Sequence, residues 1–322
     1  MYQSVLQIFP DVNREFFRFI AEREHNINEI RLRSERPILV LEGHQEWFLN
    51  REGIYTDKLS EATLMSREGL KKIVQHICQY SIYAFEDEIR QGFITVSGGH
   101  RIGLVGQVVL ENNKSIRTIK HICGLNIRVS HQMKGVGQSV LPYLYEKGTI
   151  KSTLIVSPPG CGKTTLLRDL VRNISNGNEY AEGMTIGLVD ERSEIAGSYM
   201  GQPQNDVGIR TDVLDACPKM SGMMLLLRSM SPKVIAIDEL GSIEEMDMVR
   251  QVSNCGVKML ATMHGNSFED VWRREGMEQL LKNKGFELML ILGRKQGRYI
   301  VKGIYQWTEK GEWQCRKYSD LY

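Results

Sequence analysis

The sequence predicts an α/β protein with two domains, the second of which is built on a parallel sheet. Its 322 residues are enough for about two domains of ordinary size. From residue 153 onward, short apolar runs alternate with helical patterns, as is typical of βαβ units. A stretch rich in Gly and polar residues, HQMKGVGQSVLPYL, separates this region from a smaller α/β region before it. We therefore expect an N-terminal α/β domain over 1–135, a linker over 136–150 and the parallel-sheet domain over 151–322.

Composition and charge are those of an ordinary globular protein. Hydrophobic residues make up 42% of the chain and charged residues 25%, which is enough to form a core without covalent cross-links. The net charge of +2 gives no overall field that would attract nucleic acid or an anionic membrane. The six cysteines are scattered and include no C-x-x-C pair, which disfavours a zinc site and a disulfide framework. Such cysteine usage suits a reducing compartment.

Neither a signal-peptide pattern nor a membrane-spanning run is found. The first residues, MYQSVLQIFPDVNREFF, lack a basic segment followed by an apolar one. No apolar run approaches the roughly 18 residues that a bilayer-spanning helix needs. We therefore expect a cytoplasmic protein that reaches a membrane only by recruitment through partner proteins.

The N-terminal region predicts helices and half-buried strands. Apolar residues over 2–22 predict two short helices, because Pro10 interrupts their spacing. The stretch NEIRLRSERPILVL alternates apolar and charged residues, which predicts a strand, and Pro37 would begin the next one. A helix with one apolar face is expected over 66–80, and FITVSGGHRIGLVGQVVL predicts a hairpin.

The second region predicts an alternation of strands and helices. Strands are expected at residues 153–157, 185–190, 234–238, 257–262 and 287–292. Helices are expected at residues 163–174, 221–230, 242–253 and 267–282. Two N-terminal capping pairs have the required spacing: Ser242 with Glu245, and Ser267 with Asp270. The tail GRYIVKGIYQWTEKGEWQC predicts a closing β-hairpin.

The stretch LIVSPPGCGKTTLLRDLV predicts a phosphate-binding loop between a strand and a helix. It follows the pattern G-x-x-x-x-G-K-[ST], except that Ser157 stands at the first Gly. Gly160 and Gly162 would let the backbone curl around phosphate oxygens at a helix N-terminus, where N–H groups are free. Lys163 would reach the β- and γ-phosphates, and Thr164 would bind Mg²⁺. We expect nucleotide contacts along the whole loop: Ser157, Pro158, Pro159, Gly160, Cys161, Gly162, Lys163, Thr164 and Thr165. The alternative is a Gly-rich turn without a ligand.

An acidic pair follows the apolar stretch KVIAIDELG. Phosphoryl transfer needs one carboxylate to hold Mg²⁺ and another group to orient the attacking water. Asp238 suits the first role, together with Thr164, and Glu239 suits the second. The pair comes 75 residues after Lys163, which favours this interpretation over a solvated start of a loop.

Two further strand ends carry polar residues that would lie at the same edge of the sheet, where ligands of α/β proteins bind. The stretch VKMLATMHGNS ends in Thr262, His264 and Gly265. His264 would sense the γ-phosphate or hydrogen-bond the attacking water, and a structural histidine is the alternative. The stretch IGLVDERSEIAG ends in three acids that would hold metal-bound water or order a neighbouring subunit: Asp190, Glu191 and Glu194. A solvated turn is the alternative there.

These motifs resemble the secretion-type ATPases, which power type II and type IV secretion and pili. LLLRSMSPKVIAIDELG followed by LATMHGNS has that family's order: an arginine-bearing helix, a Pro, a strand with the catalytic Glu, and a Thr-x-His strand. The family often has Gly before this Glu, whereas this chain has Asp238. Over nearly the whole chain, EIRLRSERPILV, DEIRQGFITVSGGHRIGLVGQ, SPPGCGKTTLLRDLVR and VDERSEIAG resemble the stage III sporulation AA proteins of spore-forming bacteria.

The resemblance implies a RecA-like P-loop NTPase domain that binds ATP and Mg²⁺ and hydrolyses ATP. It implies that Glu239 is the catalytic Glu, and we expect Lys163 and His264 to act with it, with Arg228 as one candidate for a catalytic arginine. It also implies assembly of copies into a ring, as a hexamer, and coupling to integral membrane proteins of a sporulation channel between mother cell and forespore. No nucleic-acid partner is expected.

The arginine that would stabilise the transition state is left open by the sequence. Ring ATPases often take this arginine from a neighbouring subunit. The candidates are Arg192, Arg210 and Arg228 in the second domain, and Arg101, Arg117 and Arg128 in the first. Two alternatives to the ATPase also stay open. One is a RecA-like nucleic-acid motor, which the near-neutral charge disfavours. The other is a nucleotide-gated scaffold with little turnover, which only the departure at Ser157 favours.

Overall fold

The computed structural model describes residues 4–79, 85–111, 115–295 and 298–316. Contacts divide the chain into two compact units: Met1–His131 with Gly197–Gln204, and Gln132–Ala196 with Asn205–Tyr322. The segment Gly197–Gln204 packs with the first unit, although the sequence predicts it within the second domain. Tyr80, at the end of the helix expected over 66–80, lies outside the described residues.

The first unit is built on an antiparallel sheet. Its strands are β1 (Ile27–Arg33), β2 (Leu39–Glu42), β3 (Gln45–Leu49), β4 (Tyr55–Thr56), β5 (Phe93–Val96), β6 (His100–Glu111) and β7 (Ser115–Arg128). Their order across the sheet is β4-β3-β2-β1-β7-β6-β5, and neighbouring strands are antiparallel. The helices of this unit are α1 (Asp11–Glu22), α2 (Arg67–Ile77) and α3 (Glu86–Gln91).

The N-terminal helices are separated where the sequence predicts. A short 3₁₀ helix spans Val5–Ile8, and α1 begins directly after Pro10, which has no N–H to continue the earlier turn. Phe9 and Phe17 stack with ring centroids 3.7 Å apart and bury the first turns against the sheet core. The hairpin of β5 and β6 turns at residues 97–99, where Gly98 and Gly99 have positive φ angles.

Strand β1 follows the predicted alternation. Ile30 and Leu32 are fully buried in the core of the first unit, while Arg33 is exposed. The next strand begins at Leu39 instead of Pro37. Pro37 instead forms an isolated bridge with Leu64, as suits a residue that lacks an N–H for a ladder.

The second unit contains an eight-stranded sheet within the described residues. Its strands are β10 (Thr153–Ser157), β13 (Ile186–Asp190), β14 (Thr211–Asp215), β15 (Val234–Ile237), β16 (Lys258–His264), β17 (Leu288–Lys295), β18 (Arg298–Trp307) and β19 (Trp313–Arg316). Two small hairpins form separate sheets: β8 (Tyr145–Glu146) with β9 (Thr149–Ile150), and β11 (Gly177–Asn178) with β12 (Ala181–Glu182). The strand order is β14-β13-β15-β16-β10-β17-β18-β19. The first six strands in this order, from β14 across to β17, are parallel. Strands β18 and β19 add an antiparallel edge.

The helices of the second unit are α4 (Leu141–Leu144), α5 (Lys163–Asn176), α6 (Lys219–Ser229), α7 (Ile243–Asn254), α8 (Phe268–Trp272) and α9 (Met277–Lys282). Ser242 and Glu245 form the predicted capping box of α7, and the Ser267 side chain accepts the Asp270 N–H at the start of α8. The prediction of a single helix over 267–282 is wrong, because α8 ends at Trp272. Gly276 has a φ of +81°, which is not helical, and α9 begins directly after it.

The segment expected to be a linker, 136–150, contains structure of its own. It includes α4 and the hairpin of β8 and β9, and Leu141, Leu144 and Ile150 are buried in the core of the second unit. A further strand, β14, was not predicted. Among the described residues, no helix has both the length and the apolar character that crossing a bilayer requires.

The topology of the second sheet places several strand ends together. Strands β10, β13, β15 and β16 are parallel neighbours, so their carboxyl ends meet at one edge. The predicted phosphate loop follows β10, and the predicted acids and histidine follow or end the other three strands. This edge therefore carries the candidate functional site.

Candidate functional site

The loop between β10 and α5 has the backbone that its glycines predict. Gly160 and Gly162 have φ angles of +69° and +82°, and Gly162 caps the N-terminus of α5. A side chain at either position would be strained in this left-handed region. Ser157 does not have a positive φ, is fully buried, and donates its hydroxyl to the Pro158 carbonyl at 2.7 Å. The residue that departs from the usual pattern is thus at a position that needs no glycine.

Lys163 opens helix α5 with a buried side chain. Its Nζ lies 3.2 Å from Nδ1 of His264 at the end of β16. Burial lowers the pKa of Lys163, while the negative charges of Asp238 and Glu239 act in the opposite direction. The ammonium group is therefore desolvated, with the charges of two acids acting on it.

Asp238, directly after β15, is held by two hydroxyl groups. Thr164 Oγ1 donates to its Oδ2 at 2.8 Å, and Thr262 Oγ1 donates to its Oδ1. The Thr262 hydroxyl also accepts the N–H of Glu239 at 2.9 Å. These bonds bring together the helix after the loop and the ends of β15 and β16, so the Thr164 and Asp238 oxygens are fixed side by side.

Glu239 lies between a histidine and an arginine. Its Oε1 is 3.1 Å from His264 Nε2, and its Oε2 is 3.0 Å from Arg192 Nη1. Its φ of +56° is uncommon for a residue with a side chain. A continuous chain of contacts therefore runs from Lys163 through His264 and Glu239 to Arg192.

Asp190, at the end of β13, hydrogen-bonds to the loop that follows it. Its carboxylate accepts the N–H groups of Glu194, Ile195 and Ala196 at 2.8–3.0 Å, and the residue is 2% exposed. Burial raises the pKa of Asp190 to about 6, against the lowering effect of these three bonds. The structure therefore gives the Asp190 carboxylate internal contacts, whereas the sequence predicted that it would hold metal-bound water or order a neighbouring subunit.

Two buried basic side chains lie near this edge, and no sequence motif predicted them. Lys219, at the start of α6, contacts Glu191 at 3.3 Å, Glu245 at 3.0 Å and the Glu239 carbonyl at 2.8 Å. Arg168 of α5 donates to the carbonyls of Glu194 and Ile195, each at 2.5 Å. The acids around them line one narrow crevice: Asp190, Glu191, Glu194, Asp238 and Glu239, together with Arg192.

Of the arginines proposed from the sequence, Arg192 contacts the site. Arg210 donates to the Ser175 carbonyl at 3.0 Å, near the far end of the helix that Lys163 begins. Arg228 is exposed in the last turn of α6, whose first residue is Lys219. Arg228 lies nine positions after Lys219, about 14 Å along the helix axis, and its expected catalytic role stays a prediction.

The three candidates in the first unit are described only within that unit. Arg101 lies over the Phe93 ring, 3.9 Å from its centroid. Arg117 and Arg128 are exposed on β7. Their expected role in a neighbouring copy stays a prediction.

Comparison with solved structures identifies the fold. The ATPase DotB of Legionella pneumophila aligns with a TM-score of 0.59 and 13% identity, over 94% of this chain and 84% of that chain. The pilus retraction motor PilT, solved with bound ADP, aligns with a TM-score of 0.59 and 13% identity, over 95% of this chain and 83% of that chain. The predicted RecA-like secretion-ATPase fold is confirmed.

Sequence comparison gives the family. The model of the family described as "Sporulation stage III, protein AA" matches residues 2–313. Stage III sporulation protein AA of Bacillus subtilis (strain 168) is 37% identical over 303 residues, which are 94% of this chain and 94% of that protein. The resemblance inferred from the motifs is therefore confirmed. The chain belongs to the stage III sporulation protein AA family.

Proposed function

We propose that this protein is a Mg²⁺-dependent ATPase that works in sporulation. The observation that carries the proposal is the arrangement at the carboxyl edge of the second sheet. There, Lys163 lies within hydrogen-bond distance of His264, which ends β16, and Thr164 within hydrogen-bond distance of Asp238, which follows β15. These are the groups that nucleotide hydrolysis requires, and the first helical turn of α5 supplies free N–H groups for the phosphates.

The donor set fits a magnesium ion. Thr164 Oγ1 and Asp238 Oδ2 are 2.8 Å apart, and hydroxyl and carboxylate oxygens are the ligands that Mg²⁺ prefers. These two residues would hold the ion, which when bound would neutralise charge on the phosphates. Thr262 keeps the Asp238 carboxylate oriented by a hydrogen bond to its other oxygen.

The remaining residues divide the work of phosphoryl transfer. Lys163 would give up its contact with His264 and bind the β- and γ-phosphates. Their negative charge makes them the stronger partner of a desolvated ammonium group. Glu239 would orient the attacking water, with His264 holding one of its oxygens. Arg192 forms an ion pair with the other carboxylate oxygen of Glu239. It would place positive charge beside the phosphoryl group in the transition state.

Two finer parts of the proposal rest on the family resemblance. Copies would assemble into a ring, as a hexamer, in which a neighbour supplies a further arginine. The ring would act on integral membrane proteins of a sporulation channel and be recruited to the membrane by them. No nucleic acid would stimulate it.

ATPase and ATP-binding assays on the full chain test the central claim. Lys163→Ala should lose both ATP binding and turnover, whereas Glu239→Gln should bind ATP and lose turnover by at least about a hundredfold. Lys282→Ala and Glu278→Gln, which remove an exposed pair on α9 whose charged atoms lie 2.7 Å apart, are the matched controls and should act as wild type.

The outcomes separate the alternatives. ATP binding that survives Lys163→Ala would contradict the phosphate site. ATP binding without turnover at any protein concentration, or with the membrane partners, would favour the nucleotide-gated scaffold. Stimulation by single-stranded nucleic acid with steep salt dependence would favour the nucleic-acid motor. Light scattering of Glu239→Gln with and without ATP and Mg²⁺ tests the ring.

A further inference from the structure

An apolar cavity of about 270 Å³ lies against the phosphate loop, on the second unit. Cys161, Gly162 and Thr165 form its loop side. Leu292 of β17 and Tyr299 and Ile300 of β18 form the opposite side. The volume is near the lower end of small-molecule sites, which span roughly 300–1,000 Å³. The cavity is thus large enough to hold one part of a small-molecule ligand.

This cavity and the acidic cluster lie on opposite sides of the loop. The sheet order is β15-β16-β10-β17-β18 around the loop strand β10. Asp238, Glu239 and His264 follow or end β15 and β16, whereas the cavity is walled by β17 and β18. A nucleotide whose phosphates lie in the loop, with the terminal phosphate toward Glu239, therefore extends its other end toward the cavity.

We infer that the cavity holds the nucleobase and that it recognises the base by apolar contact instead of base-specific hydrogen bonds. The inference rests on the proposed nucleotide site. Its consequence is a relaxed specificity, in which ATP and GTP bind with similar affinity. The ligand class is thus the purine nucleoside triphosphates, with either base.

The chemistry of the lining carries this inference. Val136 and Met133 complete the wall with further apolar side chains, and Met133 is 53% exposed at the rim. Backbone groups of β17 and β18 pair with each other, as between Gly293 and Ile300. A site built to hydrogen-bond its ligand rejects the analogue that lacks those groups by about 10⁴-fold or more, whereas an apolar pocket discriminates weakly.

Tyr299 is the side chain that connects the cavity to the loop. A Cβ at Gly162 would lie 3.6 Å from Cδ1 of the Tyr299 ring, so the ring packs on the glycine at the entrance to α5. The guanidinium of Arg294 lies 5.2 Å from the ring centroid. Tyr299 is 37% exposed, and its ring is therefore available to a base that leaves the loop on this side.

Calorimetric titration of the full chain with three probes tests the inference. The probes are ATP, GTP and inorganic tripolyphosphate, each with Mg²⁺. We expect ATP and GTP to bind wild type within about threefold of each other, and tripolyphosphate to bind at least tenfold more weakly. Tyr299→Ala should weaken ATP and GTP about tenfold or more and leave tripolyphosphate unchanged, since a base–aromatic contact contributes about this much.

Two further variants make the test specific. Tyr299→Phe retains the ring without the hydroxyl and should bind all three probes as wild type. Met133→Ala should weaken both nucleotides by a smaller factor, again without affecting tripolyphosphate. Unchanged tripolyphosphate binding also shows that each variant is folded.

The results that overturn the inference differ from those that overturn the proposed function. A preference of a hundredfold or more for one purine, or a loss of affinity in Tyr299→Phe, would mean that the base is read by hydrogen bonds. Tripolyphosphate binding as tight as ATP, or weakened equally by Tyr299→Ala, would remove the base from the cavity while the phosphate site stands. Failure of wild type to bind any of the three probes would overturn both.

Discussion

Arg192 Nη1 lies 3.0 Å from Oε2 of Glu239, so the loop after β13 and the acid after β15 are joined by an ion pair. The Arg192 side chain is 64% exposed, and exposed pairs contribute little to stability. The position of the arginine, beside the residue proposed to orient water, therefore indicates a role in the reaction more than in the fold.

Removing this arginine should slow turnover without abolishing nucleotide binding. In Arg192→Ala, we expect kcat to fall at least about tenfold, because positive charge is lost where the transition state gains negative charge. The dissociation constant of ATP should change less than threefold. Steady-state kinetics and equilibrium binding measure the two effects separately.

Arg210→Ala is the matched control, because Arg210 contacts the Ser175 carbonyl far from the loop. An unchanged or increased kcat in Arg192→Ala would show that another arginine, such as Arg228 of a neighbouring copy, serves the transition state.

His264 connects Lys163 to Glu239, at 3.2 Å and 3.1 Å respectively. His264→Gln should therefore misplace the Glu239 carboxylate and lower kcat about a hundredfold, in the range for loss of proton-transfer or positioning groups. ATP should still bind. Single-turnover kinetics at saturating ATP measure the effect, and His44→Gln, at an exposed position, is the control. Loss of ATP binding alone, with chemistry unchanged, would contradict this role.

Glu239 is held in a left-handed backbone conformation that glycine adopts more readily. We expect Glu239→Gly to be more stable than Glu239→Ala by about 0.5–1 kcal/mol, because the strain relieved exceeds the added freedom of the unfolded chain. Both variants should lack ATPase activity. Urea unfolding measures the difference. Equal stability of the two variants would mean that the conformation at this position is not strained.

Asp190 should make stability depend on pH. Its pKa is about 6 in the folded protein and 3.8 in the unfolded chain, so the folded state binds the proton more tightly. Its contribution to stability is present below about pH 4 and is lost as the pH rises through about 6, by up to about 3 kcal/mol. In Asp190→Asn this dependence should be absent. The variant should therefore lose less stability than wild type between pH 4 and pH 7.

Urea unfolding at a series of pH values measures this difference. The tryptophans at 272, 307 and 313 report the second unit when Trp47 of the first is replaced by Phe in both proteins. A difference in the free energy of unfolding between the two proteins that is constant over this pH range would contradict the raised pKa.

Much of the second sheet could be predicted from the sequence because its central strands are buried on both faces. Their apolar runs stand out, and the bounds of β10 and β13 agree with prediction within one residue. Strand β14 was not predicted because its sequence, TDVLD, has acids at its second and last positions and lies at the edge of the sheet. Local pattern does not distinguish such a strand from a polar loop.

The candidate site was predictable where a motif encodes it and not where contacts join distant parts of the chain. Residues of the helix start after the glycine loop were expected to lie close to the acid that follows β15 and the histidine that ends β16, and they do. The contacts of Lys219 with Glu191 and Glu245 depend on how α6 packs, which no local pattern reveals. The internal bonds of Asp190 likewise follow from the path of its loop, and they occupy a carboxylate that looked free in the sequence.

The loop behind Arg192 is fastened on two sides. Asp190 binds its N–H groups, and Arg168, from the helix that Lys163 begins, binds the carbonyls of Glu194 and Ile195. The main chain there is thus held in place, so in the proposed function Arg192 would move from Glu239 to the phosphate by rotation of its side chain alone. Exposed side chains rotate within picoseconds to nanoseconds. Such a swing would be complete long before any slower movement in the catalytic cycle begins.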